Sequence, residues 1–191
     1  MYKQCRTEQS AARQRELEQG LLNAMLKQHY DEISVSDLCD RLGIPRKSFY
    51  RYFSGKDGAL HAMIDHVLMD YDLYSSAKIE QCTPLQFMEL VFSYWLDQKL
   101  VLDALARSGR SGLLIQRAIS RALEETSRPL RFLTSELRME QKHVTMFLVC
   151  GLMSMVVQWH HEGYPDSVQQ MAKIALRLLT RPLVPDLEPI G

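Results

Sequence analysis

Residues 34–60, SVSDLCDRLGIPRKSFYRYFSGKDGAL, carry the strongest folding instruction in the chain. Ser34, with Asp37 three positions on, is a short capping box that starts a helix at Val35. Gly43 stops that helix, because glycine takes the left-handed conformation past a last turn without steric cost. Pro45 suits the start of the next helix, where a missing N–H does no harm. That helix runs to about Tyr52. The SGKDG run (54–58) punctuates the chain again before a longer helix to about Lys78. Leu38, Leu42, Ile44 and Phe49 supply the small core that fixes the two short helices against each other.

Helical spacing extends over the rest of the chain. Leu17, Leu21 and Met25 recur every four residues in a polar stretch and predict an amphipathic helix over 9–28. Thr83-Pro84 starts a helix over 84–107 that carries Leu85, Met88, Val91, Phe92, Trp95 and Leu96. RSGRSG (107–112) reads as a flexible break. Helices follow over 113–126, 129–138 and 140–161, and a last amphipathic one over 166–180. The tail, with three prolines, reads as a loose end. No period-two pattern competes anywhere. The expected fold class is all-α: an N-terminal three-helix domain of helix-turn-helix type over 1–55, a larger helical domain over 56–181, and a flexible tail over 182–191.

Composition narrows the chemistry. Of 191 residues, 46% are hydrophobic, so a sizeable core is available, and the formal net charge is zero. Residues 1–60 carry ten Lys/Arg against eight Asp/Glu, so clustering within 46–56 matters more than the total. The cysteines at 5, 39, 82 and 150 form no CxxC pair, which argues against a zinc framework and fits reduced thiols in a cytoplasmic protein. The N-terminus lacks the apolar core of a signal peptide. The run 144–159 is short for a bilayer span and reads as a buried helix, so no membrane association is expected. Adjacent His160 and His161 point about 100° apart on a helix and read as a solvated helix end. His61 with Asp65, and His66 with Asp70, have i,i+4 spacing but too few ligands for a metal site. There is no phosphate loop, nucleophile elbow or HExxH motif. No catalytic residue, metal or cofactor is expected.

The crowding in 46–56 has a specific explanation. Two short helices around a glycine turn form the helix-turn-helix pattern, whose second helix enters the DNA major groove. Arg46, Lys47 and Ser48 fall at the start of that helix, where arginine bridges guanine O6 and N7 and Lys or Ser reaches base edges or phosphate. Tyr50, Tyr52 and Lys56 are placed to bond phosphate oxygens, which position the protein without specifying sequence.

These residues resemble the DNA-binding signature of the tetracycline-repressor (TetR) family. The likeness covers about residues 15 to 60 and rests on the order Gly43, Phe49, Tyr50, Tyr52, Phe53, Lys56. It implies that Ser34 and Ser36 contact phosphate and base from the second helix, and that Arg46, Lys47 and Ser48 read bases. It further implies that Tyr50, Arg51 and Tyr52 lie along the phosphates and that Lys56 grips one. Two departures stand out: Pro45 where a capping Ser is common, and His29 where a Gly commonly ends the first helix. The resemblance also implies a second domain that dimerises through its last two long helices, about 140–180, and binds a small-molecule effector. Residues 151–179 are similar to a subgroup in which a Gly-Leu pair precedes a Trp, a turn and a final amphipathic helix. That subgroup includes a coactivator-like member of a sugar-kinase system.

The expected function is therefore a dimeric, sequence-specific transcription regulator, a repressor released from a palindromic operator by an effector. The alternative is a coactivator or partner-binding protein on the same fold, with no release of DNA by ligand. Phe92, Trp95, Met146, Cys150 and Met153 are the candidate lining of the effector pocket, since Met and aromatic side chains suit adaptable apolar cavities. For each of them, ordinary core packing is the competing reading.

Overall fold

A computed structural model describes residues 2, 3, 5, 7–76, 78, 82–124 and 140–180. The helix expected over 129–138 and the tail over 182–191 lie outside the described residues. The described residues form α1 (Glu8–Met25), a single 3-10 turn (Tyr30–Glu32), α2 (Val35–Arg41), α3 (Arg46–Tyr50) and α4 (Lys56–Ser76). They continue with α5 (Pro84–Asp97), α6 (Lys99–Arg107), α7 (Ser111–Glu124), α8 (Gln141–His161) and α9 (Val168–Thr180).

The first four helices follow the local signals closely. Thr7 caps α1, its hydroxyl accepting from Ser10 N. Leu17, Leu21 and Met25 are all buried. Ser34 Oγ accepts from Asp37 N at 3.0 Å and donates to the Asp37 carboxylate at 2.7 Å, so α2 begins at Val35. At its other end Gly43 N bonds Asp40 O and Ile44 N bonds Cys39 O, with Gly43 at φ 63°. That paired closure needs a left-handed residue, which is why glycine stands there. Pro45 precedes α3 and supplies no side-chain cap. Leu38, Ile44, Phe49 and Phe53 then pack with the buried stripe of α1 into one core. Cys39 lies in the same core, where burial pushes its thiol pKa up and keeps it a protonated apolar filler.

The second half departs from expectation at two places. The helix expected over 84–107 is two helices, α5 and α6, meeting at Gln98, whose N–H reaches back to both Tyr94 O and Trp95 O at 3.2 Å. Buried Met88, Trp95 and Leu102 keep one spacing across the junction, so periodicity carries no trace of the bend. The RSGRSG segment is an ordered turn: Arg110 N bonds Leu105 O at 2.8 Å, Gly109 N bonds Ala106 O at 3.0 Å, and buried Ser108 bonds Ala104 O at 2.8 Å. Gly109 sits at φ 63°, so the same glycine closure seen at Gly43 ends α6.

Helix α4 is the structural centre. It packs on α1 at one side and on α5 and α7 at the other. Arg15 of α1 clasps Asp70 through two bonds of 2.9 and 3.0 Å. Arg117 and Arg121 of α7 pair with Asp65 and Asp72. Tyr94 of α5 donates its hydroxyl to Val67 O. Helix α9 lies against α5, and α8 against α7. The α8–α9 turn is held by Trp159, which donates to Asp166 O at 3.0 Å and meets Phe92 and Tyr164 edge-on.

Two readings of α8 change. By length and composition this 21-residue helix is long and apolar enough to cross a membrane, since it extends the 144–159 run at both ends. Only 22% of its most apolar window is buried, so it is not the enclosed helix that the run implied. His160 is not a solvated helix end. Its ring is largely enclosed, with Nε2 3.1 Å from Asp103 Oδ1 of α6, though out of line for a hydrogen bond, and with Tyr164 stacked 5.6 Å away.

Two outcomes follow from these contacts. Gly43→Ala should cost about 1–2 kcal/mol in denaturant unfolding, because a Cβ is strained at a left-handed position. Burial lowers the His160 pKa below the ordinary 6.5, against the opposing pull of Asp103 and with help from His161. The unfolded chain therefore takes up this proton first. Stability should be full well above pH 6.5 and decline as pH falls through and below it. In His160→Gln, thermal melts across that window should show a shallower decline.

Candidate nucleic-acid interface

The residues singled out for DNA contact do not all land in the same environment. Arg46, Lys47, Tyr50 and Arg51 are exposed on and beside α3, Tyr50 at 53%. Ser48 and Ser36 are half-buried at the same surface, and Ser34 is exposed but holds the α2 cap. Among the described residues none of Arg46, Lys47 and Arg51 pairs with a carboxylate; Arg51 lies 5.9 Å above the Tyr52 ring. Three uncompensated cations on one short helix make an anion-attracting face even though the net charge of the chain is zero. The turn is rigid beneath them: Phe49 is fully buried, with Tyr50 edge-on at 5.7 Å and Phe53 at 5.1 Å.

Two positions differ from the phosphate-binding expectation. Tyr52 is buried in the core of the domain and not displayed beside Tyr50. The reason is that Tyr52 lies past the end of α3, in a turn where the N–H groups of Tyr52 and Phe53 both bond Phe49 O. Lys56 is turned inward. Its ammonium donates to the carbonyls of Tyr30, Asp31 and Ile33 at 2.9, 3.1 and 3.0 Å and lies 4.7 Å from the Tyr30 ring centre. All three N–H bonds of the lysine are used in closing the 3-10 turn, so its gripping of phosphate gives way to a structural role.

That contact exposes a residue that the sequence did not single out. Tyr30 is fully buried, donates its hydroxyl to Asp57 at 2.6 Å, and is flanked by Lys56 on one side and Arg110 4.2 Å from its ring centre. Arg110 also donates to Asp31 Oδ1 at 2.9 Å. The α6–α7 turn is thereby joined to the helix-turn-helix unit. Burial raises the Tyr30 pKa, reinforced by the Asp57 carboxylate, so the phenol stays a donor. The only sequence signal was an arginine set between two Ser-Gly pairs, which reads as a loop and gives no hint of where it docks.

The residues of the candidate effector pocket fall into three groups. A cavity of about 110 Å³ lies between α4, α5, α7 and α8, with Trp95 and Met153 in its wall beside Tyr71, Val91 and Leu152. Phe92 is buried elsewhere, against Trp159. Met146 and Cys150 are exposed on the outer face of α8, next to Phe147 at 69% exposure. An apolar run has no phase of its own, so spacing alone could not show that Thr145, Val149, Leu152, Met153 and Val156 form the inward face. The histidine–aspartate pairs on α4 are also drawn apart: Asp65 binds Arg117, Asp70 binds Arg15, and His66 meets Glu18 at 2.7 Å. Among the described residues no group of three or more His, Cys, Asp or Glu could hold a metal.

Residues 22–63, which span α2, α3 and the start of α4, match the sequence model of bacterial regulatory proteins of the tetR family. No curated protein matches the sequence. Two solved structures share the fold across nearly the whole chain. The dihydroxyacetone kinase operon activator DhaS is 14% identical, with 88% of this chain and 94% of that one covered and a TM-score of 0.58. The fatty acid degradation regulator FadR from Bacillus halodurans is 12% identical, with 94% and 98% covered and a TM-score of 0.60. The chain has the fold of a TetR-type DNA-binding regulator.

Lys56 and Lys47 should separate cleanly in denaturant unfolding. Lys56→Met should lower stability by about 2–3 kcal/mol, the scale of losing charge-assisted hydrogen bonds to the partly buried carbonyls of the 3-10 turn. Lys47→Ala should stay within about 0.5 kcal/mol of the parent, as exposed substitutions do.

Proposed function

We propose that the chain is a dimeric, sequence-specific transcription regulator that represses from a palindromic operator and is released by a small-molecule effector. The observation that carries this reading is the α3 face, where Arg46, Lys47 and Arg51 stand exposed and unpaired with acids on a turn locked by Phe49 and Phe53. In this reading Arg46, Lys47 and Ser48 read base edges, and Ser36, Tyr50 and Arg51 bond phosphates. Ser34 holds the α2 start in place and lends phosphate contact only from its exposed side.

The division of labour follows the helices. Residues 1–55 act as the DNA-binding unit in the cytoplasm, and 56–181 as the effector and dimerisation unit. The exposed apolar side chains of α8 and α9, Met146, Phe147, Leu178 and Leu179, support a two-fold interface there. The cavity beside Trp95 and Met153 is the effector site, bounded at its polar edge by Asp72 and Arg121. A ligand wedged between α4 and α7 there would change the angle of α4 and so the spacing of the two recognition helices. One structural neighbour is described as an operon activator, but a 14% identical fold carries no sign of regulation. Reporter expression with and without the protein assigns that sign.

Selection of duplex DNA from a random pool by the purified protein tests the reading. A palindrome with half-sites about one helical turn apart should be enriched. Arg46→Ala or Lys47→Ala should cost about 1–3 kcal/mol and relax preference at one base pair, while Tyr50→Phe should weaken all sequences evenly. A folded dimer that enriches nothing would move the partner-binding reading to first place.

A further inference from the structure

Ahead of α1, Tyr2, Lys3 and Cys5 make contacts across the molecule. Tyr2 forms an antiparallel bridge with Phe53, and Lys3 N–H donates to Tyr52 O at 3.0 Å. Both partners lie immediately after the recognition helix. The Tyr2 hydroxyl then reaches the middle of α4, donating to Asp65 Oδ2 at 2.7 Å. Asp65 is a nearly buried carboxylate, and Arg117 of α7 grips it through Nε at 2.6 Å and through a second, shorter bond. Further along, Cys5 donates its thiol hydrogen to Gln14 Oε1 at 2.8 Å and accepts from Ser10 Oγ at 3.3 Å, which pins the segment to α1.

We propose that Tyr2, Asp65 and Arg117 are positioning residues for DNA reading: the N-terminal segment is a strap through which α7 holds the end of the recognition helix at its working angle. The inference rests on the DNA-binding reading and deepens it with a regulatory path. Without the strap, α3 is tied to the rest of the molecule through the rear of its own unit, by α1 packed on α4 and α6, by Lys56 and by the Arg110–Tyr30 contact. With it, a movement of α7 is transmitted to Asp65, from Asp65 to Tyr2, and from Tyr2 through two backbone contacts to residues 52 and 53. The relay is stiff because Asp65 receives three donors. Displacing any one leaves part of a buried charge unbonded, which is costly. The Tyr2 hydroxyl stays protonated as a donor, since burial and the Asp65 carboxylate both raise its pKa.

Two measurements on the full chain test this. The first is amide exchange at Lys3, whose N–H is the strap's own bond to Tyr52, in the parent, Tyr2→Phe, Arg117→Gln and the double variant. Each single substitution should speed Lys3 exchange about ten-fold, the fold-change implied by losing one charge-assisted hydrogen bond, and leave α9 amides unchanged. The double variant should exchange little faster than the faster single one, because the two residues act through one carboxylate. Unchanged Lys3 exchange in either single variant, or equal acceleration throughout the chain, overturns the proposal. Tyr2→Phe keeps the ring and the Arg117–Asp65 pair, so it remains informative if Arg117→Gln fails to fold.

The second measurement compares binding to the selected operator and to the same operator with one base pair inserted between half-sites. The parent should discriminate against the longer site, and Tyr2→Phe should lose most of that discrimination with an unchanged salt dependence. Even weakening on both sites with a shallower salt slope would instead make Tyr2 a phosphate contact and sink the strap. If the parent enriches no DNA at all, the regulator reading fails, and the exchange experiment still decides whether the strap exists.

Discussion

A carboxylate buried in the middle of α4 sets the terms for much of this structure. Asp65 loses its hydration on folding, and that loss is offset only if donors of good geometry surround it. Arg117 and Tyr2 provide them, and each comes from a different part of the chain. The hydrogen bond to Asp65 raises the Arg117 pKa further, so the guanidinium stays charged. Burying this charge therefore demands that α7 and the N-terminal segment both be in place. A leucine at the same position would pack against either one without specifying where it lay.

The same logic recurs along α4. Asp70 is held by Arg15 of α1 and Asp72 by Arg121 of α7, so acids placed on two sides of one helix fasten two neighbouring helices to it. These pairs differ in what they contribute. Arg15–Asp70 is largely exposed and adds orientation more than stability, as surface ion pairs do. Tyr30 plays the corresponding part at the start of α4, enclosed by Lys56, Asp57 and Arg110. The helix-turn-helix unit is thus fastened to the second domain by charged and aromatic contacts as well as by apolar packing. Directional contacts of this kind have discrete geometries, which suits a joint that is proposed to switch between two arrangements.

The outer face of α8 follows a different rule. Phe147 at 69% exposure, with Met146 and Cys150 beside it, is a run of apolar surface that a helix of a lone subunit would turn inward. Its inward face packs chiefly on α7, with further contacts to α6 and α5. The proposed two-fold contact would use what remains, and the same surplus explains why a helix of this length is apolar enough to cross a membrane.

Much of the local structure was legible in the sequence by itself. Ser34, Gly43, Thr83 and Pro84 placed helix ends because caps and left-handed turns are decided within four or five residues. Leu17, Leu21, Met25, Leu38 and Phe49 declared themselves core because their spacing matches one helical face in polar surroundings. The basic turn with its buried aromatic residues was legible for the same reason. Tertiary structure alone decided the rest. It bent the chain at Gln98, where no phase change marks the junction. It turned Lys56 inward to the carbonyls of the 3-10 turn and buried Tyr52. It sent Met146 and Cys150 outward, because an all-apolar helix has no preferred face until neighbours choose one. It brought Tyr2 to Asp65, Asp65 to Arg117, and Arg110 to Tyr30, across separations of 63, 52 and about 80 positions. A charged or phenolic side chain announces that it needs a partner, but which partner it meets depends on how the helices pack.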